Sequence, residues 1–209
     1  MIEIIENILQ VTVLAGCSVF VMIKAIYSRK REWMLLFMFY ILYMFSTLYY
    51  LLFQVYYDVE TTTHTSEFGW YISYMILVLL LQNVRDKGMD FVRYRQLWLI
   101  PVFTGGMAVF YIYISEGDYI SNIVAATLMA ILIWNAVKGS LYNKKKNRRY
   151  PQKLLYRSVL IFCTVEYFGW TASCFWIEDS LLNLYYWGDI LLTLSFVLFI
   201  PSVKRLVEK

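Results

Sequence analysis

YRSVLIFCTVEYFGWTASCFWIEDSLLNLYYWGDILLTLSFVLFIPSV, residues 156–203, holds two bilayer-length apolar runs, and each carries one carboxylate: Glu166 in FCTVEYFGW and Asp189 in YYWGDILL. A carboxylate near the middle of a spanning helix costs about 2.5 to 3.5 kcal/mol on insertion scales, so it normally faces a partner, a cavity or a ligand. Glu166 stands nine residues beyond Arg157, roughly 13 Å of helix rise, which places it near the bilayer centre. Asp189 follows the belt-like Tyr185, Tyr186 and Trp187 and reads as shallower and outward-facing. On their own helix faces, Trp170 lies four residues after Glu166 and Thr193 four after Asp189. These side chains are the first candidates for a ligand or proton site.

The rest of the chain repeats the pattern of long apolar runs. With 209 residues, 60% of them apolar and 19% aromatic, and a mean hydropathy of +0.55, the composition is that of a membrane protein. Seven runs are predicted to span, at about 8–27, 33–57, 68–84, 97–115, 119–138, 156–177 and 181–203. They form a single all-α transmembrane domain over residues 1–209 with no room for a separate soluble domain. The first run follows an acidic start without a cleavage pattern and reads as a retained helix.

Charge sets the orientation. All nineteen Lys and Arg fall after the first, third, fifth and seventh runs, while the other connections carry acids such as Glu3, Glu6, Asp58, Glu67, Glu116 and Glu178. The positive-inside rule then puts the N-terminus outside and the C-terminus in the cytoplasm of a multi-pass protein of the cell membrane. The densest basic stretch, Lys144, Lys145, Lys146, Arg148 and Arg149, lies in a predicted cytoplasmic loop over 139–155. It suits anionic lipid headgroups, at about 1 kcal/mol per cation, or serves as a topology anchor. Because topology accounts for the net charge of +4, nucleic acid is not an expected partner.

The two halves resemble one another once the fourth run is set aside. Tyr27-Ser-Arg-Lys-Arg31 matches Tyr142-Asn-Lys-Lys-Lys146, Phe45-Ser-Thr-Leu-Tyr-Tyr50 matches Phe162-Cys-Thr-Val-Glu-Tyr167, and Phe68-Gly-Trp70 matches Trp187-Gly-Asp189. One helix between two triplets makes both cross in the same sense, the plan of a 3+1+3 parallel repeat. In this register Tyr49 is the counterpart of Glu166 and Trp70 the counterpart of Asp189, which adds both aromatics to the site candidates.

In architecture alone, this arrangement resembles the SWEET and PQ-loop transporters, the nicotinamide-riboside-type vitamin transporters and, more distantly, the microbial rhodopsins. No family motif accompanies the likeness: Pro151-Gln152 lies in a connection rather than a span, and run seven has Lys204 only at its end, where a retinal Schiff base would need a lysine at mid-helix. The resemblance implies two bundles around a midplane solute pocket.

Enzyme signatures are lacking. His64 is the single histidine, there is no G-x-S-x-G elbow or phosphate-cradling glycine loop, and Cys17, Cys163 and Cys174 have no metal-ligand spacing. Two intramembrane acids working as general acid and base on a lipid is the weakest reading. No cofactor or metal is expected. The sequence favours a carrier of a small solute, with membrane lipids and a small-molecule ligand as partners. A seven-helix sensor or accessory subunit, acting as a homo-oligomer or through a separate cytoplasmic partner, is the alternative.

Overall fold

A computed structural model describes residues 2–57, 64–89, 94–115, 119–145, 151–176, 180 and 182–208. Within them run seven α-helices: α1 (Ile2–Ser28), α2 (Arg31–Tyr57), α3 (His64–Asn83), α4 (Leu99–Ser115), α5 (Tyr119–Lys145), α6 (Gln152–Phe175) and α7 (Leu184–Val207). Two short 3-10 turns, Lys87–Met89 and Arg95–Trp98, connect α3 to α4.

Six of the helices are long and apolar enough to cross a membrane. The exception is α3, which opens on the polar segment His64-Thr-Ser-Glu67 and carries Tyr71, Ser73 and Tyr74 in its middle, so its hydropathy falls short. The predicted third span, 68–84, covers the apolar part of this helix but misses its polar first turn. Large apolar side chains such as Ile26, Val102, Phe103 and Val109 point outwards all around the bundle, as expected where lipid rather than water is the surrounding solvent.

Several boundaries differ from expectation. Helix α1 begins at Ile2 rather than near residue 8, because Glu3, Glu6, Asn7 and Gln10 follow one another at helical spacing and are absorbed into its first turns. Helix α5 continues to Lys145, seven residues past the predicted end, which draws Lys144 and Lys145 out of the expected 139–155 loop and onto a helix end. Lys146, Arg148 and Arg149 lie outside the described residues. Helix α7 starts at Leu184, where the Asn183 side chain accepts a 2.8 Å hydrogen bond from the Tyr185 N–H and caps the first turn.

Six helices close a ring in the order α1, α2, α3, α5, α6, α7 and back to α1, while α4 packs outside it against α5 and α6. Close crossings hold the ring together. A Cβ on Gly188 of α7 would lie 3.3 Å from the Gly169 Cα and 3.2 Å from the Phe168 ring of α6, and Gly69 of α3 leaves the space that the Ser46 hydroxyl of α2 occupies. In the middle, the fully buried Phe39, Phe162, Phe196 and Phe199 form one plug. Its ring centroids are 5.5 to 5.9 Å apart, mostly tilted or edge-on.

The two ends of the bundle differ in chemistry. At one, Lys24 lies 3.8 Å from Glu208, Asn83 donates to Glu32 at 3.1 Å, and the Tyr142 hydroxyl reaches Asp86 at 3.5 Å. These contacts gather the basic ends of α1, α2, α3, α5 and α7. At the other, carboxylates are met by hydroxyls: Tyr50 donates to Glu3 at 3.0 Å and Ser121 to Glu67 at 2.6 Å, with the Tyr71 hydroxyl against that of Ser121.

Candidate functional site

The cavity that concerns function lies in the acidic half, on the far side of the phenylalanine plug from the basic end. It encloses about 230 Å³, and α1, α2, α3, α6 and α7 all contribute to its wall. Glu166 forms one side of it and Asp189 another.

Glu166 is 4% exposed and accepts two hydrogen bonds on Oε1, one from the Tyr43 hydroxyl of α2 and one from the Tyr74 hydroxyl of α3, each 2.9 Å long. Burying a carboxylate without donors is unfavourable by several kcal/mol, and phenol donors aimed at one oxygen offset part of that cost. Tyr43 and Tyr74 are themselves fixed by packing, with edge-on rings against Phe162. The acid is therefore held by three helices at once.

Asp189 faces a second carboxyl group. The Glu6 side chain of α1 and the Tyr185 hydroxyl, one turn earlier on α7, both come within hydrogen-bonding reach of it. Glu6 is 4% exposed, and neither of its carboxyl oxygens receives a donor from the described residues. Two ionised carboxylates only accept, so a close pair needs a proton or a cation between them. Beside this pair, Thr47 donates to the Gln10 carbonyl at 3.1 Å and receives the Trp70 indole N–H at 3.4 Å, linking α1, α2 and α3 across the cavity wall.

The predicted site residues divide clearly. Glu166, Asp189, Trp170 and Trp70 are brought together around the one cavity. Thr193 is buried one turn deeper along α7, with no hydrogen-bond partner for its hydroxyl among the described residues, and it is not part of the cavity wall. Tyr49 points the other way: it is 40% exposed and stacks on Phe53. The repeat register that paired it with Glu166 also pairs the exposed Phe45 with the fully buried Phe162. That register sets an outer face of α2 against an inner face of α6 and does not hold. Tyr43, six residues earlier, faces inward and meets Glu166.

The side chains that sequence reasoning missed are Glu6, Asn7, Gln10, Tyr43, Tyr74 and Tyr185. For α1 a signal existed, since Glu3, Glu6, Asn7 and Gln10 form a polar stripe at three- and four-residue spacing. For Tyr43 there was none, because α2 carries aromatics on every face. A second chamber of about 250 Å³ lies beyond Trp70, Tyr74, Trp170 and Ser173, which are shared walls, and reaches Tyr111 of α4 and Ser121 of α5.

No protein-family model matches the chain, and neither curated proteins nor solved structures give a match. The site's chemistry is therefore the ground on which function is argued.

Proposed function

We propose that the protein is an integral membrane carrier that moves a small solute through the cavity between Glu166 and Asp189. The observation that carries this reading is the buried Glu166 carboxyl, gripped by Tyr43 and Tyr74 on the wall of an internal cavity. An acid buried at this depth normally faces a partner, a cavity or a ligand, and here a cavity lies beside it. In this reading all seven helices cross the cell membrane, including α3, whose polar face the ring shelters. The N-terminus lies outside and the C-terminus in the cytoplasm, and the basic end of the bundle supports that orientation.

The ring order supports a parallel repeat in which α1–α3 exchange with α5–α7 and α4 joins them, since the exchange carries the α3–α5 seam onto the α7–α1 seam. The four-phenylalanine plug then serves as the inner gate, closed here beneath a cavity in the outer half. Opening it requires one triplet to rock against the other.

The test is flux in vesicles reconstituted with the full chain, against a panel of amines, zwitterions, nucleosides and sugars. The wild type is expected to carry at least one class, and Glu166→Gln to abolish or uncouple that flux while the protein stays folded, because an amide oxygen still accepts from both phenols. Flux unchanged in Glu166→Gln removes the carboxyl from the mechanism. Saturable binding without flux assigns the cavity to sensing instead.

A further inference from the structure

We infer that the cavity binds a small organic ammonium ion that also bears an oxygen acceptor. The inference deepens the reading of this cavity as a solute site, but its binding arm stands whether or not the solute is carried across.

Charge is the first ground. Glu166 and Asp189 line the chamber, Glu6 faces Asp189, and Glu3 is tied to the wall through Tyr50. No Lys, Arg or His is among the lining residues. Among the described residues the Glu6 and Asp189 carboxyls have no basic partner, and the Glu6 oxygens are buried without a donor. A cation held in the chamber by Asp189 offsets the negative charge of the pair.

The wall then selects among cations. Tyr43 and Tyr74 commit their hydroxyls to Glu166 and present rings rather than oxygens, and Trp70, Trp170 and Tyr185 add more aromatic surface. Calcium or magnesium calls for six or more oxygen ligands in a defined shell. Ring faces attract an alkylated ammonium within about 6 Å of their centroids. A cavity of about 230 Å³ is smaller than a typical drug-sized ligand pocket and suits a small organic ion.

An independent observation comes from Asn7. It is 6% exposed and lines the chamber, yet its side-chain amide nitrogen has no acceptor among the described residues. A proton or a bare metal ion leaves that donor unpaired. An ammonium carrying a hydroxyl or carbonyl oxygen answers it.

The probes are choline, tetramethylammonium and 3,3-dimethylbutan-1-ol, the uncharged isostere of choline, titrated calorimetrically into the purified full chain in micelles. Choline is expected to bind saturably, at least a hundredfold more tightly than the isostere, and Asp189→Asn to weaken it tenfold or more. Tetramethylammonium should bind more weakly than choline in the wild type, and Asn7→Ala should erase that difference. Size-exclusion elution and circular dichroism confirm that each variant is folded. Equal binding of the isostere, displacement of choline by equimolar sodium, or no binding of choline to folded wild type overturns the inference. Choline binding without flux in vesicles keeps it and defeats the carrier. Flux of a neutral or anionic solute with no choline binding does the reverse.

Discussion

Removing one phenol oxygen beside Glu166 should change sign according to whether the acid is present. In the wild type, Tyr43→Phe deletes one of two 2.9 Å hydrogen bonds to a buried carboxyl. A hydrogen bond to a charged group contributes about 1.5 to 3 kcal/mol, so a loss in that range is expected. In a Glu166→Leu background the same phenol has already lost its acceptor and is a buried, unsatisfied hydroxyl. Its removal then stabilises by about 1 kcal/mol. The coupling energy between the two positions is therefore about 2.5 kcal/mol or more, at the upper end of what neighbouring residues show. Unfolding of the four purified proteins in mixed micelles of rising SDS fraction, followed by helical circular dichroism, measures it. A Tyr43→Phe shift that is equal in both backgrounds, within about 0.5 kcal/mol, would mean that the phenol and the acid are not coupled.

Further tests follow from packing and charge. Phe162→Ala opens the centre of the aromatic plug, where the side chain is fully buried, and should cost about 3 to 5 kcal/mol in the same unfolding assay. Gly188→Ala sets a methyl 3.3 Å from the Gly169 backbone, and a loss of about 1 to 3 kcal/mol is expected as α6 and α7 are forced apart. Glu6→Gln gives the Asp189 carboxyl an amide donor in place of a second acceptor and should raise stability by about 1 kcal/mol in the absence of ligand. In a variant whose native cysteines are replaced, single cysteines at Lys30 and at Ser180 should react oppositely with an impermeant maleimide. The Ser180 position labels in intact cells and the Lys30 position only after permeabilisation; the reverse pattern inverts the proposed orientation.

Which parts of this molecule were legible in its sequence follows from its long apolar runs. Six helices were readable because they are long and apolar enough to cross a membrane, and Glu166 and Asp189 were readable because an acid inside such a run is conspicuous. Inner and outer faces were not, because both are apolar. The twenty-seven residues of α2 carry Phe or Tyr on every face, so nothing in their order tells the buried Tyr43 from the exposed Tyr49. Helix α1 was misjudged for another reason. Glu3 and Glu6 resembled loop acids beside an apolar run, yet a helix can carry polar side chains inside when another helix, here α7, brings Asp189 to meet them. Helix α3 shows the same exchange from the other side: the sequence marks its apolar part as a run over 68–84, but with its polar first turn included the helix falls short of the other six in hydropathy, and it packs between α2 and α5.

Helix α4 leans on α5 and α6 from outside and lends the ring none of its six places. Its Tyr111 nonetheless reaches across to Tyr167 and Thr171 of α6, while the rest of the chain divides into two three-helix pieces meeting across the α3–α5 and α7–α1 seams. Such pieces, made as independent polypeptides, should reassemble.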